Sequence, residues 1–171
     1  MPNWNYNSVE IHATQVALKT YLVPKDDGTY RFNMHLLFPD RFPETDPIGE
    51  ANWDYDWAVE NTGSKWFPEV ELCSDETCIM SWLHYDTARA PNNETLRRLH
   101  ELTGWTITNE YEEPGVGFEG TFNCRDGDCH NDERDYQPLC DVCQEKQSSH
   151  AYTLDEDGYV CDTCLTVKSI S

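Results

Sequence analysis

Asn92-Asn93-Glu94-Thr95-Leu96-Arg97-Arg98-Leu99-His100-Glu101-Leu102-Thr103-Gly104 runs directly into Trp105-Thr106-Ile107-Thr108-Asn109-Glu110-Tyr111, and the hydrophobic period changes at the junction. In the first stretch Leu96, Leu99 and Leu102 recur every three residues. Asn92 or Asn93 can cap the first amides, Glu94 suits the positive first turn, and Gly104 can stop the helix in a left-handed conformation. In the second stretch Trp105, Ile107 and Tyr111 alternate with Thr106, Thr108 and Glu110, the period of a half-buried strand. A helix over 92–103 is therefore expected to lay a leucine face on a sheet that the next strand joins.

The flanking sequence extends this picture. Tyr6, Ser8, Glu10 and His12 alternate with Asn7, Val9, Ile11 and Ala13, which suggests a strand. Thr14 to Leu22 suits a short helix, stopped by Pro24 and the turn residues Asp26-Asp27-Gly28. Tyr30 to Phe38 reads as extended, and 39–52 as an irregular excursion rich in Pro, Gly and acid. Trp53, Trp57 and Ala58 share a helical face ending at Asn61 to Gly63. Val70 to Cys73 and Cys78 to Tyr85, joined by Ser74-Asp75-Glu76-Thr77, suit a hairpin. The order βα, ββ, αβ predicts an α+β fold, an antiparallel sheet with helices on one face.

The chain has 171 residues, enough for one substantial core and a small appendage. Its 32 Asp and Glu against 12 Lys and Arg give a formal net charge of −20. That excess repels phosphate backbones and anionic lipids. All six Trp and all six Phe precede residue 124, whereas six of the eight Cys lie from there on. The boundary falls near 122–137, where Arg125-Asp126-Gly127-Asp128 and Asn131 to Asp135 offer nothing apolar to bury and read as a polar linker. The expected division is a domain over 1–123, a linker over 124–137 and a module over 138–171. Met1 to Asn7 lacks the basic and apolar segments of an export signal, and no apolar run approaches the about 20 residues of a membrane span. A cytoplasmic setting is expected, where cysteines serve as thiols or metal ligands.

Several blocks carry a resemblance. Met1-Pro2-Asn3-Trp4 with Tyr6-Asn7, Trp53-Asp54-Tyr55-Asp56-Trp57 with Glu60 to Trp66, Asp86-Thr87-Ala88 with Ala90-Pro91, and Tyr111 to Gly120 together resemble the YubB ferredoxin-like domain family of phages and plasmids. The resemblance covers residues 1–123. Asn5 and Val116 stand where that family suggests cysteine, Thr62 and Arg89 where it suggests tryptophan, and the cysteine-rich tail is additional. It implies a ferredoxin-like domain and a mobile-element accessory protein in the cytoplasm of a host cell, and supplies no catalytic residues.

The tail carries the sharpest chemical motif. Cys140-Asp141-Val142-Cys143 and Cys161-Asp162-Thr163-Cys164 are two C-x2-C pairs seventeen residues apart. Two turns aiming paired thiolates at one centre close a tetrahedral site, for which zinc is the usual metal. A hairpin around Asp155 to Gly158 between the pairs suggests a zinc ribbon or treble-clef-like module. Four protein thiolates leave no position for substrate, so the expected Zn2+ is structural. Cys73, Cys78, Cys124 and Cys129 form a possible second site if the hairpin places Cys73 opposite Cys78 and the last strand runs beside it.

Trp53, Tyr55, Trp57 and Trp66 are candidate partner-binding aromatics, with burial in a core as the competing reading. The six histidines are dispersed, and Asp54/Asp56 and Glu112/Glu113 suit solvated faces better than acid/base pairs. No phosphate loop, nucleophile elbow or H-E-x-x-H motif occurs, and Gly115-Val116-Gly117 lacks dinucleotide spacing. The expected function is a non-enzymatic accessory protein that binds and modulates a host or defence protein with a basic face, its acidity imitating nucleic acid. Nucleic-acid binding by the sheet or ribbon, and an enzyme with an unrecognised site, are the alternatives.

Overall fold

The computed structural model describes residues 3–73 and 78–136, and in the tail 140, 143, 152–155, 158–161 and 164. The chain order is β1 (Trp4–Ile11), α1 (Gln15–Lys19), β2 (Leu22–Pro24), β3 (Tyr30–Phe32), α2 (Met34–Leu37), α3 (Tyr55–Thr62), β4 (Glu69–Cys73), β5 (Ser81–Ala88), α4 (Asn93–Thr103), β6 (Ile107–Glu113), β7 (Phe118–Arg125) and β8 (Asp128–Asp135). In the tail, β9 (Tyr152–Asp155) pairs with β10 (Gly158–Cys161). The protein is α+β, with an eight-stranded antiparallel sheet ordered β2-β3-β4-β5-β1-β6-β7-β8. Two crossovers are split: β1 and β4 enclose β5, and β5 and β6 enclose β1. This interleaving puts β1 and β5 at the centre.

The helix and strand expected over 92–111 both form. In α4, Leu96 and Leu99 are fully buried, each contributing about 1.5–3 kcal/mol by removal from water. Leu102 is exposed, because a strict three-residue step drifts off a face of period 3.6. Gly104 closes the helix with φ 69°, its N–H donating to the His100 carbonyl. Asn92 sits at the N-cap position without capping by its side chain; its Oδ1 instead accepts from the buried Tyr85 hydroxyl at 2.7 Å. The Arg98 guanidinium donates to the Leu37 carbonyl at 2.8 Å and ties α4 to α2. One apolar cluster joins Leu18, Met34, Leu37, Ala58, Leu96 and Leu99 of the helices to Val9, Ile11, Leu83 and Ile107 of the sheet.

Polar groups also cross this buried layer. Asn109 donates to Asn7 Oδ1 at 3.0 Å and Asn93 Oδ1 at 3.1 Å, and Asn7 donates to Thr87 Oγ1 at 2.9 Å. Buried amides cost free energy unless paired, so this chain rewards one register of β6, β1 and β5 over its slips.

Three expectations are corrected. Tyr30 to Phe38 is not extended throughout: Asn33 Oδ1 accepts from the Leu36 N–H and starts the single turn of α2. The 124–137 stretch is not a linker over its described residues, because Asp126 (φ 53°) and Gly127 (φ 89°) form a tight turn between β7 and β8. Two successive positive φ angles are the signature of the hairpin turn that Asp-Gly favours. The Gly127 N–H donates to His100 Nε2 at 3.2 Å while His100 Nδ1 meets the Trp105 carbonyl at 2.7 Å, anchoring that turn to α4. Finally, Cys73 lies opposite Trp82 and not Cys78, which precedes β5.

Candidate functional site: the open face of the sheet

Alternation sends odd-numbered residues of β1, β5 and β6 toward the helices and even-numbered ones away from them. The register then lines up the outward residues across strands. One row runs Asp86, Tyr6, Glu112, Glu119, Arg134. The next runs Glu71, His84, Ser8, Glu110, Thr121, Asp132. No helix among the described residues covers these rows. They form a trough of about 560 Å³, with five carboxylates (Asp86, Glu110, Glu112, Glu119 and Asp132) and one arginine in its lining.

Arg134 is already engaged, its Nε donating to Glu119 Oε1 at 2.9 Å. Burial, and then the neighbouring Glu71 charge, push the Asp86 carboxyl above the usual carboxylate range. Neither Asp86 nor Glu71 has an ion-pair partner among the described residues. The face therefore concentrates negative charge on a fixed scaffold, which favours a cationic ligand and opposes a phosphate backbone.

Behind the trough, burial drives the Tyr111 phenol up to about 12, opposed by the hydrogen bond from its hydroxyl to Asn131 at 2.8 Å and reinforced by Glu133. Gly120 is required beside it, since a Cβ there would lie 2.4 Å from the Tyr111 oxygen and 2.8 Å from the Asp132 carbonyl.

The sequence-nominated acidic pairs do other work. Glu112 faces the trough, but Glu113 is buried on the opposite face and accepts from the Val116 N–H in the β6–β7 turn. Asp54 caps α3 by accepting from the Trp57 N–H at 2.8 Å. The nominated aromatics divide as well. Trp57 packs edge-on against Phe38 and Phe42, a core role. Trp53 and Trp66 stack with centroids 5.1 Å apart and remain partly exposed, and Lys65 lies over Trp66 and Tyr55. Tyr6, His84, Asp86, Glu110, Glu119, Asp132 and Arg134 were missed as a group. Their signal was the polar half of each alternating strand, which has no meaning as a site until the register is known.

The cysteines fall into three settings. Cys140, Cys143 and Cys164 have sulfurs that all lie within 4.8 Å of one another. Tetrahedral thiolate coordination at about 2.3 Å puts sulfurs about 3.8 Å apart, so this group fits a metal. Cys161 ends β10; its side chain lies outside the described residues. The second four-cysteine site does not form. Cys124 and Cys129 are directly opposed on β7 and β8 and joined by a disulfide, which removes both as thiolate ligands and corrects, for this pair, the expectation of thiols or metal ligands. Cys73 on β4 is four strand positions from β7, roughly 19 Å at about 4.8 Å per strand, far beyond a shared coordination sphere.

No described helix is long and apolar enough to cross a membrane. No protein-family model matches the chain, and no curated protein does. Among solved structures, the crystal structure of api92 from Yersinia pseudotuberculosis, a DUF1281 protein, is similar at 22% identity with a TM-score of 0.45. The similarity covers 62% of this chain and 40% of that one.

Proposed function

We propose that this chain is a non-enzymatic binding protein that uses the open face of a ferredoxin-like sheet to engage the basic surface of another protein. The carrying observation is the helix-free trough with five carboxylates and one arginine that is already paired. Such a face speeds encounter with a cationic partner and suppresses anionic ones, which disfavours the nucleic-acid alternative. In the mobile-element setting that the YubB resemblance implies, the partner is a cytoplasmic host or defence protein that ordinarily holds nucleic acid.

The test is capture from nuclease-treated host lysate at low and raised salt, comparing the intact chain with a Glu110→Lys/Glu112→Lys variant. A protein partner retained by the first, weakened by salt and lost from the folded variant is expected. Binding indifferent to the charge reversal, or direct binding of purified protein to nucleic acid, overturns the reading.

Cys140, Cys143, Cys161 and Cys164 are proposed to hold one structural Zn2+ in a zinc-ribbon-like tail, supported by their spacing and by the three gathered sulfurs. Elemental analysis should find about one zinc per chain. Metal-free purified protein whose tail resists proteolysis as well as the untreated protein does sinks this part.

A further inference from the structure

The trough continues past Asp86 into a second cleft of about 450 Å³, and the two share His84, Tyr85 and Asp86. This cleft has Trp4 and Trp66 as walls and Glu69, Glu71 and Asp86 as its acidic groups, of which Glu69 is already paired with Lys25 and Arg31. The walls are not equivalent. Trp66 is stacked on Trp53 and has the Lys65 ammonium 4.6 Å from its ring centre, so it already serves a cation of this chain. Trp4 is 45% exposed and makes no ring or cation contact among the described residues. It lies two residues before Tyr6 on the open face, and Tyr6 is directly opposite Asp86.

We infer that the corner between Trp4 and Asp86 is an arginine anchor, and that the occupant of the sheet face is an extended basic segment of a partner protein that places one guanidinium there. The inference rests on the proposed acidic-face function and specifies its chemistry. An indole face attracts a planar cation, and a guanidinium can stack on it while its fork of N–H groups reaches a carboxylate. Asp86 and Glu71 repel each other in the unbound protein, so a cation between them relieves a strain that a neutral side chain leaves in place. A lysine ammonium supplies the charge without the planar stack. The remainder of the segment needs only positive charge, because carboxylates outnumber the one paired arginine in the rest of the trough and no indole lines it.

The experiment titrates the full-length chain with two fluorescently labelled peptides, an oligolysine and the same peptide with its central residue changed to arginine. The arginine peptide should bind about five- to tenfold tighter. Trp4→Ala should bring the two peptides to within about twofold of each other by weakening the arginine peptide more than the oligolysine, Trp4→Phe should restore part of the preference, and Asp86→Asn should weaken the arginine peptide more than the oligolysine. Circular dichroism confirms that each variant is folded.

Equal affinities for the two peptides, or a preference that survives Trp4→Ala, overturn the anchor; if Glu110→Lys/Glu112→Lys still abolishes binding of both, the acidic-face reading stands without it. Failure of both peptides to bind at low salt overturns both. Self-association in sedimentation that is lost with the trough charges makes a second copy the occupant and overturns both, as does tighter binding of a labelled oligonucleotide.

Discussion

On β6, Ile107, Asn109, Tyr111 and Glu113 are buried toward the helices, while Thr108, Glu110 and Glu112 point away from them. The same seven residues thus build a packed layer on one side and a charged trough on the other. The layers differ in what holds them. On the helix side each residue has a fixed set of neighbours, so the arrangement is set by packing and paired amides. On the open side Asp86, Glu110 and Asp132 share no such packing; the strands beneath them set their spacing. Residues of the first kind determine whether the protein folds, and those of the second are free to determine what it binds.

This contrast can be broken by measurement. The largest effect is expected at Leu99, fully buried where α4 meets the sheet: Leu99→Ala should cost about 2–5 kcal/mol in urea unfolding. A change within about 0.5 kcal/mol would place that side chain outside the core and dissolve the distinction between the faces. Next comes the Cys124–Cys129 disulfide, which links β7, with Glu119, Phe122 and Cys124 buried, to the almost wholly exposed β8. Closing so short a loop stabilises by about 2 kcal/mol in the chain-entropy model, so reduction should lower the melting temperature and expose two further alkylatable thiols. Unchanged stability on reduction would mean that backbone pairing and the side-chain bonds of Asn131, Glu133 and Arg134 hold β8 in place without the disulfide.

The smallest effect sharpens the comparison by its sign. The Asp86 carboxyl is raised in the folded protein by burial and then by Glu71. Its folded value lies above its unfolded one, so its ionised form costs stability at neutral pH, and that cost disappears as pH falls through the folded value. Asp86→Asn should therefore leave the protein equally or slightly more stable at pH 7, by no more than about 0.5 kcal/mol because the site is open to solvent. It should also remove the contribution that this carboxyl makes to the pH dependence of stability, which opposes that of the lowered Asp27, Asp46 and Glu69 carboxyls. A marked loss of stability at pH 7 would make Asp86 part of the structure and not of a binding face.

What could be seen in advance depended on apolar contrast. The helix over 92–103 and the strand after it were legible because leucines, caps and alternation agreed. The β7–β8 hairpin was not, although Asp126-Gly127 is a strong turn signal, because Asp128-Cys129-His130-Asn131-Asp132-Glu133-Arg134-Asp135 buries almost nothing and offers no hydrophobic period. It is an edge strand held by backbone hydrogen bonds, the disulfide and the side-chain bonds of Asn131, Glu133 and Arg134, and charged residues suit an edge that must not pair further. The two Cys pairs of the tail were visible as a spacing, and three of their sulfurs converge. Cys73 and Cys124 looked equally available for a site and lie strands apart.

The sequence by itself determined the α+β class, the position of α4 and β6, the acidity of the surface and the cysteine spacing, because each is local or a sum over residues. Only the tertiary structure decided that Asp86, Glu110, Glu112, Glu119 and Asp132 share one trough, and that Trp4 stands at its end. They come from β5, β6, β7 and β8, with Trp4 on β1, and a shift of one residue in β5, β6 or β7 would turn its outward charges toward the core. Register is fixed by cross-strand packing and by the buried Asn7, Asn93 and Asn109 amides, contacts up to 102 residues apart in sequence that no local pattern encodes.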